Sequence, residues 1–348
     1  MRRPLRILLI ATDLSTAGGV NKIIRDLAVL FKRALGVDVT VVNARSDRPS
    51  TYSFPADVPV QQHRRQSLLA YFQLLIRLRR SRPDVVISSW TQDNILVSLA
   101  FLFSRTRTVL VEHSSWHFHG RAIRLLRRMI YPLASQVVVL NRRDLEHYRK
   151  YLRNVRLIPD PVTGERPAGE QREKLIIAVG HLEPLKNFGD AIRAMAISRL
   201  EDEGWSLTII GSGTREGELR RLIDELGLTR TRIHASVDDL GPWYARASIL
   251  LVTSRLESFS LVLAEAMLSG VVPVAYASDG PSFILEDFPE HLVAMGDVHV
   301  LAERLGDFAK ASASGALRQR LSASVQARFS PEVIGEQWKA LLEAPPCH

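Results

Sequence analysis

Two glutamates, Glu257 and Glu265, flank a predicted helix start within residues 248–275, SILLVTSRLESFSLVLAEAMLSGVVPVA. The stretch reads as strand, polar loop, helix and strand. Residues 249–252 are apolar, Glu257 lies in the loop, an apolar-periodic helix follows, Gly270 stops it, and a second apolar run ends at Pro273. In such a unit the first helical N–H groups, near Phe259, Ser260 and Leu261, lack intrahelical partners and face the crevice above the strand ends, where the helix dipole favours a phosphate. Ser258 or Ser260 is the expected cap. One carboxylate on the loop and another about one turn into the helix suit a ligand with a phosphate in the middle and hydroxyl groups on both sides, and a nucleotide sugar has that layout.

Other residues carry weaker chemistry. Gly211-Ser212-Gly213-Thr214 with Gly217 follows a strand and opens a helix, as a phosphate loop does. A dinucleotide fingerprint would open its domain and be followed by an acid ending the next strand, and residues 232–236 lack that acid. Gly18-Gly19 is either a plain tight turn or a place where backbone can approach a diphosphate or an acceptor. His113, His117 and His119 lie in one loop-like segment without carboxylate or thiolate ligands arranged around them, and Asp238-Asp239 reads as a helix cap, so no metal site is expected.

The string ESFSLVLAEAMLSG, with Pro273 and Val274 after it, resembles the E-x7-E signature of the retaining GT-B glycosyltransferases of family four, with serines 258 and 260 where glycines are common. The resemblance implies that Glu265 bonds the donor ribose and Glu257 lies by the donor sugar. It implies further that Lys186, in Gly180-His181-Leu182-Glu183-Pro184-Leu185-Lys186-Asn187, neutralises the donor diphosphate, with His181 at the position of a usual arginine. A histidine is only partly charged near neutral pH and offers no bidentate fork. By the same resemblance Gly211 and Gly213 lie near the nucleotide and His113 beside the transferred sugar. Catalytic roles are thus implied for Glu257, His113 and Lys186, and donor contacts for Glu265, Lys186, His181, Gly211, Gly213, Phe259, Ser260, Leu261, Gly18 and Gly19. Gly280-Pro281 resembles a G-P-x-E-I-I turn of capsule, lipopolysaccharide and teichoic-acid members, with Phe283 in place of its Glu, and I-P-D-P-V at 158–162 stands where I-P-N-P-V is common.

The elements that must position these residues come in two sets. Residues 6–14 read as a buried strand, followed by a glycine turn and an amphipathic helix over 21–35, and further strands are expected at 38–43, 84–88, 108–112, 136–140 and 155–158. A polar segment rich in Pro and Gly, 159–174, is the linker. The pattern then restarts, with strands at 175–179, 206–210, 232–235, 248–253, 271–275 and 291–294 alternating with helices near 188–198, 216–226, 239–247 and 261–269. The fold class is α/β, two Rossmann-like domains facing across a cleft, with domains at 1–163 and 164–329 and a C-terminal helix over 330–345 returning to the first.

With 348 residues, 46% hydrophobic and 24% charged, the chain can bury two cores. Its one cysteine, Cys347, has no partner, which fits a reducing cytoplasm, and neither a membrane span nor a signal peptide is read. Residues 1–160 hold 27 Lys+Arg against 11 Asp+Glu, and the remainder 19 against 26, so the basic character belongs to the first half. Two stretches there alternate arginines with apolar residues: 64–82, and Arg121, Arg124, Arg127 and Arg128 around Ile123, Leu126, Met129 and Ile130. They are either membrane-docking amphipathic helices or surface helices whose apolar stripes face the sheet. The expected partners are a nucleotide-sugar donor, a glycan or lipid-linked glycan acceptor and an anionic membrane, with no nucleic acid and no cofactor or metal. An epimerase of the same fold and a basic nucleic-acid-binding protein are the rival readings.

Overall fold

The computed structural model describes residues 3–16, 18–64, 67–164, 172–311 and 314–344. Part of the expected linker, 165–171, lies outside them, as do Arg65, Cys347 and the last residue of the expected returning helix, 345. The chain divides into unit 1, Met1–Pro161 with Pro331–His348, and unit 2, Val162–Ser330.

Unit 1 runs β1 (Arg6–Ala11), α1 (Gly19–Arg33), β2 (Asp38–Asn43), β3 (Val60–Gln62), α2 (Leu68–Arg80), β4 (Val85–Ser88) and α3 (Thr91–Ala100). It continues through β5 (Arg107–Glu112), α4 (Arg121–Ile130), β6 (Gln136–Val139), α5 (Arg142–Arg149) and β7 (Val155–Leu157). The strands form one sheet in the order β3-β2-β1-β4-β5-β6-β7, and every pairing is parallel. Residues 7–11 of β1 and all of β4 and β6 are buried, because a parallel sheet is covered on both faces and its strands read as unbroken apolar runs. The edge strand β3 escapes sequence reading: it is three residues long, its two glutamines are exposed, and it has no apolar run to announce it.

Unit 2 runs β8 (Leu175–Val179), α6 (Phe188–Ser198), β9 (Ser206–Ile210), α7 (Glu216–Glu225), β10 (Thr231–His234), α8 (Gly241–Arg246) and β11 (Ile249–Val252). After it come α9 (Leu261–Leu268), β12 (Val272–Tyr276), α10 (Asp279–Ile284), β13 (Leu292–Val293), α11 (Val298–Ala311) and α12 (Gly315–Phe329). Its parallel sheet has the order β10-β9-β8-β11-β12-β13. Helix α9, expected as an apolar-periodic helix, is buried from Leu263 to Leu268 without a break, so it is covered around its circumference and not along one stripe.

The last helix, α13 (Pro331–Glu343), belongs to unit 1. The Trp338 ring meets Phe31 of α1 edge-on, centroids 5.2 Å apart. A Cβ on Gly335 would stand 3.2 Å from Leu30, so glycine lets the two helices approach. The Arg107 guanidinium donates to the carbonyls of Leu342 (2.6 Å) and Leu341 (2.8 Å), capping the helix where its carbonyls lack partners.

The two basic helices part company. In α2 the residues Tyr71, Leu74, Leu75 and Leu78 face the core, so its apolar stripe covers the sheet. Helix α4 is inverted: its one buried residue is Arg127, while Leu125 (59%), Leu126 (40%) and Met129 (64%) are exposed. Among the described residues no helix is long and apolar enough to cross a membrane.

Candidate functional site

In a doubly wound sheet ligands bind beyond the strand C-termini where the strand order reverses. In unit 2 that place lies between β8 and β11, so the loops 180–187 and 253–260 form its rim. The two loops are laced together: Thr253 Oγ1 donates to the Lys186 carbonyl (2.9 Å) and the Arg255 N–H to the Leu185 carbonyl (2.9 Å). Lys186 lays its methylenes over Gly180, whose φ is +150° and whose added Cβ would stand 3.2 Å from Lys186 Cε. This directs Nζ onto Glu257 Oε1 at 2.5 Å, with the two side chains 25% and 15% exposed. The structure therefore brings Lys186 and Glu257, predicted separately, into one ion pair at the mouth of the sheet.

The loop after Glu257 is shaped by close backbone contact. The Gly280 N–H donates to the Glu257 carbonyl (2.8 Å), and a Cβ on Gly280 would meet the Phe259 carbonyl oxygen at 2.5 Å, so the Gly280-Pro281 turn is a fitted support beneath this loop. Phe259 packs edge-on against Phe329 (5.2 Å), and Phe283 is buried beside the same ring (5.8 Å). The expected side-chain cap is corrected here. Ser260 does occupy the N-cap of α9, yet it sits in the left-handed region (φ 75°, ψ 68°) and its side chain makes no cap bond. The conformation is one that glycine adopts without strain, which accounts for the glycine common in the resembling motif. Leu261 opens the helix, and Glu265, one turn further, is 7% exposed and accepts from the Tyr244 hydroxyl at 3.1 Å. Burial first, then the Glu265 charge, raises the Tyr244 phenol well above its ordinary value and keeps it a donor.

Gly211 and Gly213 are held to glycine by close backbone packing. A Cβ on Gly211 would fall 1.9 Å from the Gly180 carbonyl oxygen, and one on Gly213 would fall 2.7 Å from Leu182 N and O. Both are glycine because the β8–α6 backbone lies against them, tied by Leu182 N–H to Ser212 O (3.0 Å) and Arg215 N–H to Leu182 O (3.0 Å). Glu183 adds a clasp, accepting from Thr214 N (3.1 Å) and Oγ1 (2.9 Å). His181 is exposed on this rim. Asp239 Oδ1 accepts from the Gly241 N–H (2.8 Å) in a turn before α8, whose N-cap is Leu240 without a side-chain cap bond, so the expected Asp239 cap is corrected to a turn bond.

In unit 1 the order reverses between β1 and β4. The loop after β1 is pinned by Asn21 Nδ2, which donates to the carbonyls of Asp13 (2.7 Å) and Thr16 (2.9 Å). Gly18 and Gly19 have open space where a Cβ would go, and Gly18 is extended at φ 170°, so the fold itself asks for glycine at neither position. Across the reversal Thr12 Oγ1 donates to Asp93 Oδ2 (2.5 Å) at the start of α3. Asp93 is 1% exposed, and burial outweighs the Thr12 and Tyr71 hydrogen bonds and the Arg45 charge, raising its carboxyl from 3.8 to about 6.

One strand further, the end of β5 holds a buried network. Glu112 accepts from Tyr131 (2.6 Å), Thr91 (2.9 Å) and the Ser114 N–H (3.2 Å), and lies 3.1 Å from Arg127 Nη2, which also donates to Thr91 Oγ1 (2.6 Å). His113, next in the chain, is 5% exposed; Nδ1 lies 3.1 Å from the Ser89 carbonyl and Nε2 3.2 Å from Asp160 Oδ1. His119 instead meets Thr91 Oγ1 (3.0 Å), and the His117 ring stands 6.4 Å from that of His147, so the three histidines have separate surroundings. Among the described residues no three His, Cys, Asp or Glu side chains gather as a metal site.

Tyr244, Asp93 and the Glu112–Arg127 network were not singled out by sequence reasoning. Their partners lie 21, 81 and 15 residues away along the chain, and no local pattern marks them. Asp160 had a signal, the aspartate in I-P-D-P-V, without a partner to give it meaning.

Comparison with known proteins covers both halves. The family described as Glycosyl transferases group 1 matches residues 165–328, and Glycosyltransferase Family 4 matches residues 17–166. An exopolysaccharide phosphotransferase of Streptomyces coelicolor is 34% identical over 285 residues, which cover 76% of this chain and 29% of that protein. The chain thus spans less than a third of that relative's length. A Campylobacter jejuni α-1,4-N-acetyl-D-galactosaminyltransferase, named for an acceptor on undecaprenyl diphosphate, is 26% identical over 243 residues, 68% of this chain and 67% of that one. Among solved structures, Staphylococcus aureus TarM, in a complex with UDP, superposes with a TM-score of 0.82 at 13% identity, covering 98% of this chain and all (100%) of that one. At that identity the likeness shows the two-domain GT-B fold.

Proposed function

The chain belongs to the group 1 and family 4 glycosyltransferases, and from that premise we propose that it is a retaining transferase moving a hexose-type sugar from a nucleoside diphosphate to a glycan or lipid-linked glycan acceptor in surface polysaccharide synthesis. The observation that carries the reading is the Lys186–Glu257 pair at the β8/β11 reversal, with α9 and Glu265 directly behind it. Lys186 and the N-terminus of α9 stabilise the charge that grows on the leaving diphosphate. Glu257 holds the donor sugar and Glu265 the ribose, the latter oriented by Tyr244. On donor binding Lys186 passes from Glu257 to the phosphate oxygens, freeing the glutamate for sugar hydroxyls. The acceptor attacks the face the nucleotide leaves, and a leaving phosphate oxygen takes its proton, so no metal and no protein nucleophile enters.

The undecaprenyl diphosphate-linked acceptor in the name of the Campylobacter relative supports an acceptor at a membrane, and the exopolysaccharide in the name of the Streptomyces relative supports polysaccharide synthesis. The outward face of α4 suits such a surface: Leu125 and Met129, continued by Phe118 and Leu133, are exposed, with Arg121 and Arg128 beside them. Apolar residues flanked by arginines dock on anionic lipid, each basic residue adding about 1 kcal/mol.

Thermal melting in EDTA with UDP, GDP and ADP and their sugars, alongside Glu265→Ala, tests the donor site. One base should raise the midpoint in the wild type and not in the variant, because binding to the folded state alone stabilises it. No shift with any nucleotide would overturn the assignment.

A further inference from the structure

We propose that Asp160 is a positioning residue that holds His113 as a doubly protonated imidazolium, so that the end of β5 carries a fixed cation and His113 has no lone pair with which to act as a base. The inference rests on geometry. Nδ1 faces a backbone carbonyl, Ser89 O at 3.1 Å, which can only accept, and Nε2 faces the Asp160 carboxylate at 3.2 Å. A neutral imidazole has one N–H, so either tautomer would turn a lone pair toward one of these oxygens. One proton added to the pair resolves the conflict. It settles on the imidazole, whose ordinary pKa near 6.5 exceeds that of a carboxylate near 3.9. The side chains are 5% and 8% exposed, so water does not relieve the demand for a partner at either nitrogen.

Among the described residues the charges that act on the ring are Asp160 from the segment after β7 and Glu112 from β5, the latter paired with Arg127. Burial alone would lower the histidine, but the Asp160 charge and hydrogen bond, the Ser89 carbonyl and Glu112 together raise it. An asparagine here, common at this place in the motif that 158–162 resembles, could accept from Nε2 but would supply no charge. The aspartate therefore sets the protonation state as well as the orientation. This deepens the proposed function: with His113 unable to take the acceptor's proton, that proton is left to the departing phosphate.

The test is an imidazole-nitrogen NMR titration of the full chain without substrate, with His113 assigned by loss of its signals in His113→Gln. Wild-type His113 should show two protonated nitrogens at pH 7 and titrate above it. In Asp160→Asn the midpoint should fall by at least one unit, a tenfold loss of proton affinity, and Asp160→Glu should recover most of it. The remaining histidines, unmoved, show that the fold is kept. A neutral tautomer at pH 7 in the wild type, or equal midpoints in wild type and Asp160→Asn, overturns the proposal. In transfer assays the alkaline limb should move down with Asp160→Asn; a rate that instead rises through the His113 midpoint makes His113 a base and also overturns it. The titration needs no substrate, so failure to find a donor would refute the proposed function and leave this inference to be decided separately.

Discussion

Arg127→Met probes the inverted face of α4. The Arg127 and Glu112 side chains are both fully enclosed, with Nη2 3.1 Å from Oε1. Without the guanidinium, Glu112 keeps the Tyr131 hydroxyl at 2.6 Å, Thr91 at 2.9 Å and the Ser114 N–H at 3.2 Å. Neutral donors do not cancel a full charge in a low-dielectric interior, and removing one partner of a buried pair costs about 3–5 kcal/mol. For a unit of this size each kcal/mol moves the midpoint by about 2–4 °C, so the unit 1 transition should fall by roughly 6–20 °C. Scanning calorimetry measures the shift, and near-UV dichroism, to which Trp116 contributes with its ring centroid 6.0 Å from the Arg127 guanidinium carbon, follows the same loss of packing. Adding Glu112→Gln neutralises the stranded carboxylate and should return about 1–3 kcal/mol through the coupling of the two sites. A single variant melting within about 2 °C of wild type, or a double variant losing the sum of the singles, would refute the account.

Two other expectations follow from buried geometry. Asp93 titrates near 3.8 unfolded and about 6 folded, so between those values the folded chain holds more protons and stability falls as pH rises, by ~3 kcal/mol in full. Asp93→Asn removes that slope; urea unfolding should show the variant gaining on wild type from pH 4 to 7, and an equal difference at both pH values refutes it. Gly211→Ala must displace the Gly180 carbonyl, whereas Gly18→Ala meets open space. The first should cost about 1–3 kcal/mol by urea midpoint and the second under about 0.5; equal stability of the two would refute the packing role.

The strands were legible because a sheet covered on both sides makes runs dominated by apolar residues, unbroken in β8, and β2, β8 and β9 span the residues expected of them. Orientation was not legible in the same way. The periodicity of α4 marks an amphipathic helix, but only the enclosed Glu112 and Tyr131 explain why Arg127 turns inward and Leu125 outward. At the site, Glu257 and Glu265 stand out by their placement on one loop and helix, and Lys186 by the resemblance of residues 180–187 to a family loop. His113 is reached by the same resemblance, while its partner Asp160 lies 47 residues on and is brought to it by the return of β7. Ser260 shows the limit at a single residue. A serine before an apolar run signals a side-chain cap, and only the backbone angles reveal a left-handed corner.

The return of α13 to unit 1 sets an order of events during synthesis. Ile334, Trp338 and Leu341, buried against the first body, are made only after the whole of Val162–Ser330 has been synthesised. At about 5–20 residues per second that interval is roughly ten to thirty seconds. For that time the face of α1 around Leu30 and Phe31 has no cover, while the second body, contiguous in the chain, can close on its own. The nascent protein should therefore pass through a stage with a finished second body and an unsealed first one, the stage at which chaperones and proteases would find it.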